Sequence, residues 1–265
     1  MPDTHIPLAP LDYRFTLGTR IDNTSYEDAA ARVLAWCRQK ASRYVCVANV
    51  HMVMEAYDSA EYRNIVNDAA LVTPDGMPLV WSLRLMGARN PTRVYGPDLT
   101  LAVLQEAERY SIPVGFYGGT PAVLHALIKQ LKSRFPQLVV RYAYSPPFGS
   151  ITQEESERSA MEINDSGIQI LFVGLGCPKQ ERWMAAHQGR VNSVMLGVGA
   201  AFDFIARTKP QAPSWMQKLG FEWLFRLLTE PRRLLRRYAK HNPRFLFLLL
   251  SQVLKAKHTP IEEKT

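Results

Sequence analysis

Residues 44–76 read YVCVANVHMVMEAYDSAEYRNIVNDAALVTPDG, and this stretch decides the fold. The run at 44–48 is mostly apolar, which is typical of a strand buried on both faces. Helical spacing of apolar residues follows, and a second apolar run at 69–73 ends just before Asp75. In an open α/β sheet, ligands bind at the carboxyl ends of the strands. We therefore expect Asn49 and Asp75, which follow the two runs, to lie beside each other at such an edge.

Strand-like and helical segments alternate along most of the chain. Further strand-like runs lie at 113–118, 138–142, 168–173 and 193–198, and 14–17 is predicted to be an edge strand. The alternation is typical of βαβ units. It predicts an α/β fold with a Rossmann-like, mainly parallel sheet flanked by helices over residues 1–212. From residue 213 the pattern becomes helical and basic, which predicts a C-terminal basic helical appendage over residues 213–265.

Composition narrows the classes of protein that the chain can be. With 265 residues and 47% hydrophobic content, it can bury one substantial core. Its three cysteines are far apart, so neither a disulfide framework nor a zinc site is expected, and a reducing cytoplasm fits. Prolines interrupt the N-terminal residues, which predicts no signal peptide. No apolar run approaches the roughly 18–20 residues of a membrane-spanning helix.

Basic residues are concentrated in the tail. Residues 226–257 contain nine Lys or Arg and one Glu, which equals the whole chain's net charge of +8. The same segment contains the run FLFLLL at 245–250, which suits a lipid surface better than a nucleic-acid groove. Pro231 and Pro243 are expected to divide the tail into segments too short to span a bilayer. An anionic membrane surface is therefore the predicted partner, and a core-covering or homo-oligomer contact is the alternative.

Glycines follow three of the strand-like runs, at Gly118 and Gly119, at Gly174 and Gly176, and at Gly199. Glycine lets backbone N–H groups approach a nucleotide diphosphate, although it serves tight turns equally well. The GxGxxG pattern of nicotinamide enzymes is absent after the first strand, which argues against an oxidoreductase.

Polar residues at the strand ends suggest acid–base chemistry. Asp75 is a candidate general base, because a cleft that desolvates a carboxylate raises its pKa, and an Asp-Gly turn is the alternative. Asn49 is either a helix cap or a substrate ligand, and His51 is expected to be packed or solvated. The chain contains no Asp-x-Asp, the pattern that often holds a metal. Lys179, arginines or helix N-termini would then neutralise a diphosphate, so no metal and no cofactor are predicted.

With these residues in hand, the chain resembles the bacterial WecG/TagA/CpsF glycosyltransferase family over about residues 14–245. The resemblance is carried by Asn49 and by the motifs PDG at 74–76, RVYGPDL at 93–99, YGG at 117–119, GLGCPKQE at 174–181, GVG at 197–199 with Phe202 and Asp203, and GFEWLFRL at 220–227.

The resemblance implies an inverting glycosyltransferase that moves a sugar from a UDP-sugar to a sugar on a polyprenyl diphosphate, at the cytoplasmic face of the bacterial plasma membrane. N-acetylmannosamine is the implied sugar. Asp75 matches the family's general base, Asn49 a substrate-positioning residue, and Arg93 and Gln180 residues of the reaction centre. The implied nucleotide-binding residues are Gly118, Gly119, Gly174, Gly176, Lys179, Gly199 and Asp203. The implied acceptor-diphosphate residues are Arg226, Arg233 and Arg236.

The sequence departs from the family pattern at three positions. Val47 replaces a frequent Thr, Gln211 replaces an Arg, and Arg207 stands where Gly is common. These departures leave UDP-glucose, or another UDP-sugar, as an alternative donor for exopolysaccharide synthesis. A non-catalytic membrane scaffold is the remaining alternative class, for which Asp75 and Arg93 would have no chemical role.

Overall fold

The computed structural model describes residues 8–147, 149 and 152–258. The start of the first predicted unit, 1–7, and the end of the second, 259–265, therefore lie outside the described residues. Its strands are β1 (Asp12–Thr16), β2 (Thr19–Asn23), β3 (Arg43–Ala48), β4 (Leu71–Pro74), β5 (Val114–Gly118), β6 (Val140–Tyr144), β7 (Ile170–Gly174) and β8 (Val194–Gly197). Its helices are α1 (Tyr26–Arg38), α2 (Val50–Asp58), α3 (Ala60–Asn67), α4 (Met77–Leu85), α5 (Gly96–Arg109), α6 (Pro121–Arg134), α7 (Gln153–Asp165), α8 (Lys179–His187), α9 (Ala201–Ile205), α10 (Ser214–Lys218), α11 (Glu222–Thr229) and α12 (Pro231–His258).

Six strands form one sheet in the order β4-β3-β8-β7-β5-β6, and every neighbouring pair among them is parallel. Helices cover both faces, where two separate apolar clusters lie. Along β3, Cys46 belongs to one cluster and Val45 to the other, as the two-residue period of a strand buried on both faces requires. The predicted α/β fold with a Rossmann-like parallel sheet is confirmed.

The predicted edge strand at 14–17 lies outside this sheet. It forms β1, which pairs antiparallel with β2 in a separate hairpin. Leu17 and Gly18 make the turn with positive φ, a pattern that alternating apolar residues alone do not reveal. The hairpin is joined to the main sheet by buried Asp22, whose carboxylate accepts a hydrogen bond from the Val72 backbone N–H at 2.6 Å.

The last helix, α12, packs onto the α/β core. On α12, Phe245, Leu249 and Val253 are buried within one of the two apolar clusters. Gln252 of α12 accepts a hydrogen bond from Leu17 N at 2.9 Å and donates one to the Phe15 carbonyl at 2.6 Å.

Pro243 does not divide the tail, contrary to the sequence-based expectation, because it lies inside the continuous helix α12. A proline has no N–H for the carbonyl four residues earlier, here that of Ala239, so only one helical hydrogen bond is lost. Packing of the flanking residues Leu234 and Phe245, both buried, holds the helix together. Within the described residues, no helix is long and apolar enough to cross a membrane.

Candidate active site between the core and the C-terminal helices

A cavity of about 580 Å³ lies between the carboxyl ends of β3 and β4 and the helices α11 and α12. Its polar wall contains Asn49, His51, Asp75, Arg93, Glu222, Arg226, Arg237 and His241. Its apolar wall includes Met77, Pro78, Trp81, Trp223, Leu227, Leu235, Tyr238 and Leu246. One side is therefore built by the parallel sheet and the other by the appendage.

Asn49 and Asp75 are neighbours at the sheet edge, as the sequence predicted. β3 and β4 pair so that Ala48 lies opposite Pro74, and the Asp75 backbone N–H donates to the Ala48 carbonyl at 2.8 Å. The next residue, Gly76, has φ −97° and is the N-cap of α4. The tight Asp-Gly turn, which was the structural alternative to a catalytic role for Asp75, therefore does not form.

The environment of Asp75 raises its pKa to about 7. Burial is the largest cause, because the ionised form loses its hydration. The positive charges of Arg93 and Arg226 lower this pKa, and the negative charge of Glu222 raises it. About one-fifth of the Asp75 side chain remains exposed, towards the cavity. Asp75 can therefore exchange a proton with a bound molecule near neutral pH.

Arg93 connects Asp75 to the appendage. Its Nε donates a hydrogen bond to the Asp75 backbone carbonyl, and its Nη2 donates one to the Glu222 carboxylate. The same Nη2 lies 3.6 Å from Asp75 Oδ1, and the guanidinium stacks over the Tyr95 ring at 4.3 Å. Glu222 was not singled out from the sequence. It lies in the first turn of α11, where a negative charge also interacts favourably with the helix dipole.

Asn49 fulfils the capping role that the sequence left open. Its Oδ1 accepts a hydrogen bond from Met52 N at 3.2 Å at the start of α2. Because the oxygen is used in the cap, the amide N–H₂ is the part of the side chain that remains for a ligand in the cavity.

Gln180 does not lie on the wall of this cavity. It is 3% exposed, its Oε1 accepts from Gly176 N at 3.1 Å, and its Nε2 donates to Glu181 at 2.7 Å. Glu181 is itself buried and accepts a hydrogen bond from the Tyr62 hydroxyl at 2.9 Å. In this arrangement Gln180 holds the turn between β7 and α8.

Close packing accounts for two of the glycines at the strand ends. A Cβ on Gly118 would lie 2.6 Å from the Gly174 backbone, and one on Gly174 would lie 2.6 Å from the Phe202 ring. Positive φ values are found at Gly118, Gly119, Gly176 and Gly199. Among the five glycines predicted to bind the nucleotide, only Gly176 has open space around it: a Cβ added there would have no atom within 4 Å.

The two charged residues predicted for the nucleotide lie at the ends of helices. Lys179 is exposed at the first residue of α8, and Asp203 lies in α9 with its carboxylate 3.5 Å from Lys209 Nζ. Among the described residues, neither of them nor any of the predicted glycines lines the cavity that contains Asp75.

The structure separates the three predicted tail arginines. Arg226 lies on the cavity wall, with its guanidinium over the Phe204 ring at 5.4 Å. Arg233 and Arg236 are exposed, and Arg233 pairs with Glu230 at 2.6 Å. Arg226 lies on α11, which ends at Thr229, whereas Arg233 and Arg236 lie on α12, which begins at Pro231.

Arg237 takes the second arginine position on the cavity wall. The Nε atoms of Arg226 and Arg237 are both buried without a hydrogen-bond partner. Buried polar groups are nearly always hydrogen-bonded, so these two N–H groups are suited to bind an anion. Sequence reasoning missed Arg237. The helical spacing of α12 could have identified it, because Arg237 lies three positions after Leu234 and four before His241. Both of those residues are buried, so Arg237 lies on the same inward face of the helix.

A histidine pair lies at one end of the cavity. The rings of His51 and His241 are 5.2 Å apart, and one nitrogen of each lies 3.8 Å from the same carboxylate oxygen of Glu55. Burial and the charges of Arg237, His241 and Lys240 lower the pKa of His51 to about 4. His51 is thus packed, as one interpretation of the sequence had it, and is also part of the cavity wall.

A second, smaller cavity of about 360 Å³ lies between α5, α6 and the segment after α9. Its wall includes Asp98, Arg134, Arg207 and Gln211. Two of the three positions at which the sequence departs from the family pattern, Arg207 and Gln211, therefore share one cavity.

Comparisons with known proteins agree with the motifs. The description "Glycosyl transferase WecG/TagA/CpsF family" belongs to the family model that matches residues 14–259. A curated relative from Bacillus spizizenii, named N-acetylglucosaminyldiphosphoundecaprenol N-acetyl-beta-D-mannosaminyltransferase, is 29% identical over 196 residues, 74% of each chain. The family match covers almost the whole chain. This protein belongs to the WecG/TagA/CpsF family of glycosyltransferases.

Proposed function

We propose that this glycosyltransferase moves a sugar from a UDP-sugar to a sugar carried on a polyprenyl diphosphate, with inversion at the anomeric carbon. The observation that carries the proposal is Asp75, a carboxylate with a pKa of about 7 on the wall of a largely apolar cavity. A base of this pKa takes a hydroxyl proton efficiently at neutral pH.

The proposed step uses Asp75 as general base. Its carboxylate takes the proton of the acceptor hydroxyl while the oxygen attacks the anomeric carbon of the donor. The bond between that carbon and UDP breaks on the opposite face, so the configuration inverts. Arg93 holds the Asp75 backbone and lies 3.6 Å from its carboxylate, which keeps the base oriented. Asn49 offers its amide N–H₂ to a sugar hydroxyl from the neighbouring strand end.

Arg226 and Arg237 are the best placed groups for the acceptor diphosphate. Both lie on the wall that α11 and α12 contribute, and each has a buried, unpartnered Nε–H. Guanidinium groups bind phosphate oxygens in a directional way. The neighbouring apolar side chains of Trp81, Trp223 and Leu235 provide contacts for the first units of a polyprenyl chain. Arg233 and Arg236, which the family resemblance implies, are the alternative diphosphate ligands; both are exposed and would have to turn inwards.

For the donor we propose UDP-N-acetylmannosamine, since the Bacillus spizizenii relative is named for that sugar. UDP-glucose is the second candidate. It is favoured by the departures at Arg207 and Gln211, both on the second cavity. The glycines at the strand ends, Lys179 and Asp203 remain the predicted nucleotide side of the site.

We propose further that the protein works at the inner face of the plasma membrane, as a peripheral protein bound through its appendage. The exposed side chains of Leu246, Phe247 and Leu250 lie on α12 together with eight of the nine Lys and Arg residues of 226–257. Apolar contact and attraction to anionic lipid would act together there. A homo-oligomer through the same face is the alternative.

A transfer assay tests this function. The purified full-length protein is incubated with N-acetylglucosamine or glucose on a polyprenyl diphosphate, and with a panel of UDP-sugars. UDP release and a lipid product lengthened by one sugar are expected, with UDP-N-acetylmannosamine preferred and an inverted linkage by NMR. Failure of every donor with both acceptors would contradict the proposal and favour a non-catalytic scaffold.

A further inference from the structure

We propose that His51, Glu55 and His241 form a binding site for a divalent transition-metal ion, with Zn²⁺ as the best match, and that the ion ties α12 to α2. The site goes beyond the transfer reaction, in which these residues have no assigned part. It departs from the sequence-based expectation, which was that the chain has no metal site.

Three donor atoms from two helices converge at this point. One nitrogen or oxygen from each residue lies within 4.8 Å of the other two. His51 Nδ1 and His241 Nε2 are each 3.8 Å from Glu55 Oε1. His51 and Glu55 are four residues apart on α2 and therefore share one face, to which α12 brings His241.

The ring nitrogens are not committed elsewhere. His51 Nδ1, which faces Glu55, is buried without a hydrogen-bond partner. His241 Nδ1 is also buried and unpartnered, although buried polar atoms are nearly always satisfied. Within the described residues, no hydrogen bond engages either imidazole, so ring nitrogens of both are available to an ion.

The donor set fits zinc. Two imidazoles and one carboxylate form a recurrent Zn²⁺ set that leaves a fourth position open. Bonds of about 2.0–2.1 Å place tetrahedral ligands roughly 3.3–3.5 Å apart, so each His–Glu separation must shorten by roughly 0.3–0.5 Å. His51 and His241 also line the cavity, so an ion held by them would lie at the cavity wall.

The charged residues near the site bear on the charge of the fourth zinc ligand. Arg237 and Lys240 lie close enough to His51 to act on it electrostatically and oppose a cation. On the other side, Asp58 acts on His241, but it is paired with Arg244 at 2.7 Å. Two cations beside the site favour an anion as the fourth ligand over a neutral group.

Calorimetry on the untagged full-length protein, stripped of metal by chelation, tests the site. Titration with ZnCl₂ should show one ion bound per chain, and Co²⁺ should give the absorption of a tetrahedral nitrogen and oxygen site. Glu55→Gln and His241→Gln should each weaken zinc binding by roughly 100-fold or more, since even outer-shell changes cost 10- to 100-fold. His125→Gln, at an exposed histidine of α6, is the matched control and should bind as wild type.

Absence of one-to-one binding in the wild type, or binding that survives both variants, would overturn the proposal. Circular dichroism establishes that each variant is folded, and Glu55, which is partly exposed, provides a variant that spares the core if His241→Gln unfolds. Zinc should also slow hydrogen exchange in α12 of the wild type. Binding without that protection would overturn the tie between the helices.

Discussion

At the scale of single residues, the site depends on two carboxylates that share one guanidinium. Arg93 donates a hydrogen bond to Glu222 but only approaches the Asp75 carboxylate, at 3.6 Å. The ion pair with Glu222 weakens the effect of Arg93 on the Asp75 carboxylate, and the negative charge of Glu222 itself raises the pKa of Asp75. Burial and Glu222 both raise the pKa of Asp75, and together they outweigh Arg93 and Arg226.

Glu222→Gln should therefore move the pH dependence of transfer. Activity requires ionised Asp75, so turnover in the wild type should rise with pH through about 7. Without the charge of Glu222, the pKa of Asp75 falls and the acidic limb of the kcat/KM profile moves to lower pH. Glu230→Gln, at another acid of the appendage that pairs with Arg233, should leave the limb in place. An unchanged limb in Glu222→Gln would contradict the coupling of the two carboxylates.

Sequence could find Asn49 and Asp75 because each follows its own strand, and parallel strands end at a common edge. It could not find Glu222 or Arg237, whose roles depend on how the appendage docks onto the core. Gln180 was implied by the family resemblance alone. In the structure both ends of its amide are hydrogen-bonded within the fold, to Gly176 N and to Glu181, so its place at the reaction centre stays a prediction.

At the scale of elements, α12 decides the shape of the site. Buried Leu234, His241, Phe245 and Leu249 follow a helical period and hold the helix on the core. The sequence predicted a basic helical appendage here but expected a break at Pro243. Packing on both sides of the proline maintains the helix, which no local rule could reveal.

Neighbouring arginines on α12 provide a matched pair of variants. Arg237 lies on the cavity wall, whereas Arg236 is exposed. Arg237→Ala should lower kcat/KM by roughly 10- to 100-fold on short-chain and full-length acceptors, as the loss of charged hydrogen bonds implies. Arg236→Ala should retain activity on a short-chain acceptor in detergent. Equal losses in both variants would contradict this division and support Arg236 as a diphosphate ligand, which the family resemblance implied.

At the scale of the whole molecule, a neutral body carries a basic and partly apolar surface. The proposed membrane contact is best tested without deleting the tail, because residues such as Phe245 and Leu249 belong to the core. Phe247 is 71% exposed and Leu250 58%. The double variant Phe247→Ser/Leu250→Ser should bind anionic vesicles at least about tenfold more weakly, with activity retained on a short-chain acceptor. Vesicle binding equal to wild type would contradict this contact.

The proposed transfer reaction should proceed without a metal ion. Arg93, Arg226 and Arg237 provide positive charge at the cavity, and the chain contains no Asp-x-Asp. Excess EDTA should therefore leave turnover intact on a short-chain acceptor, even where it removes zinc from the histidine pair. Loss of turnover in EDTA that Mg²⁺ or Mn²⁺ restores would contradict a metal-independent reaction.

The most direct test of the account is the turnover of Asp75→Asn in the UDP-sugar transfer assay. Asparagine keeps the shape of the side chain but cannot take the acceptor proton, so we expect turnover to fall by roughly 10²–10⁴, with nucleotide binding retained. The pKa of Asp75 is raised from 3.8 to about 7, so ionising this carboxylate lowers folding stability progressively between those pH values and by the full amount above pH 7; the variant should therefore melt no lower than wild type at pH 8. Turnover equal to wild type in a folded Asp75→Asn protein would contradict the central claim that Asp75 is the general base.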